Sequence, residues 1–299
     1  MASVSVLVVG EANPDLVLRG DVRPRFGQTE QLLSAADLTL GGSGALVAHG
    51  LARLGVPVAL CAAVGADAYG DFVRSYLAEA GVDCRYLVTV PESTGISVIL
   101  SDSDRAILTH LGAIDSLRPT HLPDPDSFDH VHAASVYLAS TLRPALPSYL
   151  AQFRSSSLDT NDDPLRTWAD LPALLGAVDL VLPNEGELAS WATNLGEPAT
   201  TWQESAHAVA ARGPAVVLKR GAEGGAVVTA HEVITAAAPQ ITPVDTTGAG
   251  DTFDAGFIAA RMDGRSLEKS LQWAVRAGAA STQAAGGASA QPTRDQLRG

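Results

Sequence analysis

Short apolar runs alternate with helix-compatible stretches along most of this 299-residue chain, and that rhythm restricts the fold more than any other feature. Residues 4–9 form an apolar run that ends at Gly10, as a buried parallel strand does. Residues 45–54 read as a helix stopped by Gly55 and Pro57, residues 58–64 as a second buried strand, and residues 71–80 as an amphipathic helix ending at Gly81. The pattern resumes at residues 131–138, with further strands near Leu158, at 179–182 and at 215–219, helices between them, and an Ala-rich helix over 267–285. Such alternation predicts an α/β fold whose mainly parallel sheet is covered on both faces, in a single domain spanning 1–299. Two stretches break the rhythm, at about 12–40 and 85–110. They carry short β-like pieces, among them a hairpin signal in which residues 96–100 and 106–109 flank Ser101-Asp-Ser-Asp104. They predict a small β-sheet standing off the body as a lid, a natural device for keeping water out of a cleft.

Composition narrows the function. Net charge is −13, which disfavours nucleic-acid binding, since phosphate backbones need a basic surface. Two cysteines, Cys61 and Cys84, make neither a disulfide framework nor a four-cysteine zinc site. No apolar run reaches membrane-spanning length and the first residues read as a strand, so the expected location is the cytoplasm, with no membrane partner.

The chemistry points to Asp245-Thr-Thr-Gly-Ala-Gly-Asp-Thr-Phe-Asp-Ala-Gly-Phe257. Gly248, Ala249 and Gly250 let backbone N–H groups converge on an anion, and a helix beginning there adds unpaired N–H groups and the positive end of its dipole. Asp251 stands at the mouth of that nest, placed to accept a proton beside a phosphate. A bare Gly-Ala-Gly turn is also an ordinary connection, and an acid after it an ordinary cap. Other phosphate sites are missing. There is no G-x-x-x-x-G-K-[ST], no G-x-G-x-x-G in frame after a strand, and no HRD or DFG element. With only Lys219 and Lys269 as lysines, a phosphate site here must rely on backbone amides, metal and at most one Lys or Arg.

The 245–257 stretch resembles the C-terminal motif of the ribokinase-like, or PfkB, carbohydrate kinases. Residues 40–55, Leu-Gly-Gly-Ser-Gly-Ala-Leu-Val-Ala-His-Gly-Leu-Ala-Arg-Leu-Gly, are similar to their N-terminal glycine motif, and the similarity runs over nearly the whole chain. The resemblance implies a three-layer α/β/α body with a β lid. It also implies ATP- and Mg²⁺-dependent phosphorylation of a hydroxymethyl group on a sugar or sugar-like alcohol. By this carry-over Asp251 is the general base, and Gly248, Ala249 and Gly250 form an anion hole, which suits a loose transition state.

The resemblance implies further roles. Asn184 and Glu187 match an N-x-x-E motif that organises the Mg²⁺–phosphate region, Glu187 through water; an N-cap followed by acids gives the same pattern. Lys219, Gly221 and Gly224 match the nucleotide loop, with Lys219 either meeting a phosphate or ending a strand at the surface. Asp15, supported by Asn13, matches the carboxylate on sugar hydroxyls, although Asn-Pro-Asp is also a good turn. Gly41, Gly42 and Ser43 line the same acceptor side. Some relatives hold a monovalent cation, K⁺, where Asp245 and Thr247 stand, with Gly286 in the matching loop. Some pair through the lid as homodimers.

One position departs from the family pattern: Leu46 replaces the usual Asn, so the acceptor is less polar there or differently placed, with Ser43, His49 or Tyr137 as candidate replacements. His121, His130 and His132 near Asp124, Asp126 and Asp129 read as solvated polar residues rather than a metal cluster. Asp159 and Asn161 either approach the phosphates or make a turn, and Asp254 defaults to a helix-surface acid. The favoured reading is an ATP-dependent sugar kinase; the alternatives are a nucleoside kinase of the same family and a non-catalytic sugar-binding regulator.

Overall fold

A computed structural model describes residues 6–102 and 105–298. Val4 and Ser5 of the first expected strand, and Ser103 and Asp104 of the expected hairpin turn, lie outside the described residues. The first half of the chain forms β1 (Val6–Val9), β2 (Asn13–Gly20), β3 (Leu33–Gly41), α1 (Ser43–Arg53), β4 (Val58–Gly65), α2 (Ala68–Glu79), β5 (Leu87–Val90), β6 (Ile96–Ser101), β7 (Arg105–His110) and β8 (His130–Ala134). The second half forms α3 (Leu146–Leu150), β9 (Ser156–Asp159), α4 (Leu171–Leu175), β10 (Leu180–Val181), α5 (Glu185–Asn194), α6 (Trp202–Ala210), β11 (Ala215–Lys219), β12 (Gly225–Val228) and β13 (Val233–Ala236). Three helices close it: α7 (Ala249–Met262), α8 (Leu267–Ser281) and α9 (Arg294–Arg298).

The main sheet runs β13-β12-β11-β10-β9-β8-β1-β4-β5. From β5 to β11 neighbouring strands are parallel, and β12 and β13 add an antiparallel edge. β1 is apolar on both sides because it lies inside the sheet, and its residues alternate between two cores. Leu7 and Val9 face the side where Leu146, Leu174, Leu188 and Val209 pack, from α3, α4, α5 and α6. Val6 and Val8 face Leu51, Val73, Ile258 and Trp273, from α1, α2, α7 and α8. Each fully buried side chain of this kind is worth roughly 1.5–3 kcal/mol, so the three layers hold together mainly by this packing.

The small sheet runs β3-β2-β6-β7, with β2 and β6 parallel and the outer pairs antiparallel. It is drawn from both stretches that broke the rhythm. One piece of the second stretch belongs elsewhere. β5, expected in the lid, pairs in parallel with β4 at the edge of the main sheet. Its sequence, Leu-Val-Thr-Val, suits either sheet, and the alternation gives no signal of which strand it will join. The strand expected over 131–138 stops at Ala134, because Ser135 takes a positive φ of 52° and turns the chain away. No described helix is long and apolar enough to cross a membrane.

Candidate active site

The carboxyl ends of the parallel strands carry the polar residues, where ligands of open α/β sheets sit. Glu11 and Asn13 follow β1, Ser135 follows β8, Asp159 ends β9, Asn184 follows β10 and Lys219 ends β11. α7 brings its N-terminus to the same place. Gly248 caps it in a left-handed conformation, φ 67°, and a Cβ there would lie 2.8 Å from Gly287 Cα, so only glycine fits the closure between this loop and the C-terminal one. The first helical bond of α7 is Thr252 N–H to Gly248 O, at 2.9 Å. Helix geometry therefore leaves the N–H groups of Ala249, Gly250 and Asp251 without partners four residues back. Ala249 compensates with a long 3.3 Å bond to Thr246 O.

A cavity of about 560 Å³ opens on this nest. It is lined by Asn184, Glu187, Lys219, Gly221, Gly224, Ala249, Gly250 and Asp251, which brings the expected nucleotide-side residues together. Its apolar wall comes from Val275 and Ala279 of α8 and from Ala238, Pro239, Ile241 and Pro243, a loop whose mixed composition carried no sequence signal. Asn184 and Glu187 form a reciprocal cap at the start of α5. Glu187 N–H donates to Asn184 Oδ1, and Asn184 N–H to Glu187 Oε2, both at 2.9 Å. Burial raises the Glu187 pKa above the ordinary glutamate range, and the Asp159 carboxylate adds to the shift.

Lys219 and Asp254 both differ from the plain alternatives. Lys219 is no surface lysine. Its side chain is 12% exposed, and its ammonium lies 2.5 Å from Asp159 Oδ2 and 3.3 Å from Asp254 Oδ2. Asp254 is wholly buried, because the face of α7 it occupies turns toward β9 and β11 rather than solvent. His130 and His132 are also buried instead of solvated: both bond Ser157 Oγ at 2.8 Å, and burial pushes their pKa values down to about 3 and about 4. Sequence spacing cannot show this, since Asp124, Asp126 and Asp129 are exposed while His130 and His132 lie within β8.

On the other side of Asp251 stand the acceptor-side residues. Asn13 and Asp15 share a face of β2, and Asn13 Nδ2 donates to Asp15 Oδ1 at 3.0 Å. Gly41 and Gly42 lead into Ser43 at the start of α1. Asp251 is partly exposed to the cavity yet closely surrounded by protein. Burial raises its pKa, the Asp159 carboxylate reinforces this, and Lys219 and a hydrogen bond from Ser43 ease it. Burial likewise lifts Asp15 to about 7, against the Asn13 hydrogen bond and with help from Asp251.

Glu11 escaped the sequence reading. It is 7% exposed; Oε1 accepts the Ser43 N–H at 3.0 Å, while the buried Oε2 has no hydrogen-bond partner. Burial lifts its pKa to about 7, the Ser135 and Ser43 hydrogen bonds oppose this, and Asp251 adds to it. Asn161 reaches the same cluster and donates to the hydroxyls of Ser43 and Ser135. The available signal was position alone: Glu11 lies two residues before Asn13.

Leu46 is 4% exposed and packs against Gly287, and His49 is taken by Gln291 Oε1, so His49 is no replacement for a polar residue at 46. Asp245 is crowded. Its Oδ1 accepts the Thr247 N–H and hydroxyl, and its Oδ2 accepts the Gly286 N–H and the Arg19 guanidinium from the lid. Among the described residues no group of three or more His, Cys, Asp or Glu could hold a metal on its own.

Residues 4–294 match the family model described as pfkB family carbohydrate kinase. The chain belongs to the pfkB family. The chain is similar to a Bacillus subtilis ribokinase, 28% identical over 98% of each chain, and to an adenosine kinase from Schizophyllum commune, 32% identical over 78% of this chain and 76% of that one. Among solved structures, an Arabidopsis thaliana ribokinase complexed with ribose and ATP superposes with a TM-score of 0.84 at 27% identity, covering 99% of this chain and 98% of that one. Membership of the pfkB family makes the protein a phosphotransferase with an alcohol acceptor, built on a ribokinase-like fold.

Proposed function

We propose that this pfkB-family protein transfers the γ-phosphoryl group of ATP to a hydroxymethyl group of a sugar or sugar-like acceptor, with Asp251 as general base. The observation that carries the reading is the position of Asp251. On one side it lines the cavity beside Gly250, Lys219 and Glu187; on the other it takes a hydrogen bond from Ser43, and its charge raises the pKa of Glu11 and Asp15. A base between a phosphate nest and a polyol pocket is what in-line transfer requires.

The apolar wall and the glycines 221 and 224 receive the nucleotide. Asp15 and Asn13 hold acceptor hydroxyls, with Gly41, Gly42 and Ser43 closing the pocket behind them. Asp251 takes the hydroxyl proton as that oxygen bonds to phosphorus, and the bond to the ADP oxygen breaks. The N–H groups at Gly248, Ala249 and Gly250 meet the charge on the equatorial oxygens. Magnesium, when bound, neutralises phosphate charge. Glu187, through water, and Asn184 would hold it, and the raised pKa of Glu187 marks a place where a cation relieves buried negative charge. The donor set at Asp245 and Thr247 does not fit potassium, because both Asp245 oxygens are already engaged, one of them by a cation from the chain itself.

A nucleoside acceptor is the second reading. Leu46 favours it by removing a polar group at the acceptor end, and the adenosine kinase relative accords with it. ADP release with D-ribose and with adenosine, each with MgATP, separates the two; ADP release with neither, despite bound nucleotide, would support the binding-only alternative. The lid's outer strand β7 exposes Ile107 and Leu108, which supports self-association through the lid, testable by sedimentation.

A further inference from the structure

Lys219 sits in an arrangement that stability alone does not explain. Its ammonium is buried against two carboxyls, Asp159 and Asp254, which are 2% and 0% exposed. Burying an ion cluster costs more than filling the space with a Met or Leu of similar volume. The cluster is also beside the phosphate nest: Nζ lies 3.7 Å from the point where a Cβ on Gly250 would stand, and Lys219 lines the cavity.

The hydrogen bonds divide in an informative way. An ammonium has three donors. Two go to Asp159 Oδ2 and Asp254 Oδ2, which leaves one for the cavity side. Asp159 and Asp254 thus share one cation, and the Asp159 charge works against ionisation of Asp254. Burial, with the neighbouring Asp159 charge, raises the Asp254 pKa against the Lys219 charge, while at Asp159 the Lys219 charge and the surrounding hydrogen bonds together overcome burial and lower it. Asp254 accepts from Lys219 through Oδ2, and its other oxygen, Oδ1, is buried without a partner.

We propose that Asp254 is a positioning residue: with Asp159 it clamps the Lys219 ammonium against the N-terminus of α7, so that the third N–H meets the phosphoryl group being transferred. The proposal rests on the kinase reading for its reaction but not for its binding consequence. The pairing makes Lys219 a fixed charge in place of a flexible one, which is what a developing charge on phosphorus rewards. Asn at 254 preserves the clamp, because its carbonyl can take the place of Oδ2 and accept from Lys219 while its amide takes the unpartnered Oδ1 position. Leu removes the acceptor and leaves Asp159 as the sole holder.

The test compares wild type with Lys219→Met, Asp254→Leu and Asp254→Asn. Steady-state kinetics with MgATP gives kcat and the acceptor KM, and calorimetry gives the affinity ratio between a non-hydrolysable ATP analogue and ADP, both with Mg²⁺. Asp254→Leu is expected to cut kcat roughly 10- to 100-fold, as loss of one transition-state contact does, with acceptor KM unchanged within about threefold. It is also expected to lower the analogue-over-ADP preference as far as Lys219→Met does, and Asp254→Asn to recover most of both losses. Wild-type kcat in a folded Asp254→Leu variant, or an Asn variant as damaged as the Leu one, overturns the proposal. If Asp254→Leu does not fold, Asp254→Ala carries the same expectations. If wild type phosphorylates no acceptor, the kinase reading falls; an analogue-over-ADP ratio that Asp254→Leu leaves unchanged then overturns the clamp on its own.

Discussion

Gly41 makes room for Asp15: a Cβ on Gly41 would lie 2.0 Å from Asp15 Oδ1. Gly41 pairs with Asn13 across β2 and β3 of the lid, diagonal to Asp15, and the glycine lets the strand backbone come flush against the carboxyl that, on the proposed function, reads the acceptor. Gly41→Ala must therefore displace the Asp15 side chain. The expected result is an acceptor KM raised about tenfold or more, equivalent to roughly 1.4 kcal/mol, with the KM for MgATP unchanged. Equal changes in both constants would show that the strand, and not Asp15, had moved.

Gly248→Ala attacks the other half of the site. The residue occupies φ 67° with Gly287 Cα 2.8 Å from any added Cβ, so the α7 N-terminus must shift. Loss of an aligned oxyanion-type donor costs about 10²–10³-fold in kcat, and a loss of that order is expected here. Circular dichroism and the thermal midpoint distinguish this from unfolding; a folded variant with unaltered kcat would remove the nest from the account.

Glu11 gives a pH signature. Its carboxyl is buried and its pKa is lifted from 4.5 to about 7, so between those values the folded chain holds a proton that the unfolded chain has lost. Stability therefore falls as pH rises from about 4.5 to about 7, a negative contribution to the slope under proton linkage. Glu11→Gln removes that contribution. The variant should gain on wild type across this window, by an amount on the order of 1–3 kcal/mol at neutral pH, and thermal melts from pH 4.5 to 8 should show a shallower decline. Parallel melting curves would contradict the burial-driven shift.

Arg19 joins the lid to the body through Asp37 and Asp245. Its side chain is 26% exposed, so Arg19→Ala should cost no more than about 1 kcal/mol in stability, less at high salt. A drop of several kcal/mol in urea unfolding would mean that the pair carries the lid.

The sequence made the body legible because buried parallel strands and amphipathic helices leave periodic marks. β11 matched the expected 215–219 in full, and α7 began at the small-residue nest as anticipated. β5 was misplaced because a four-residue strand of Leu and Val fits either sheet, and partner choice is a long-range property. Glycine spacing brought the nucleotide loop and the nest to one cavity, since glycine marks where backbone must approach a ligand. Glu11 and Asp254 stayed hidden for another reason. Acids are ordinarily exposed, and only the packing of α1 and α7 onto the sheet shows that these two are buried.

The central claim is that Asp251 removes the acceptor proton, and Asp251→Asn tests it most directly. The amide keeps the size of the side chain but cannot take up a proton. The account predicts a fall in kcat of roughly 10²–10⁴-fold, the range for a general base, with acceptor and MgATP affinities by calorimetry within a few-fold of wild type. A kcat close to wild type, with the variant folded and both ligands bound, would contradict it.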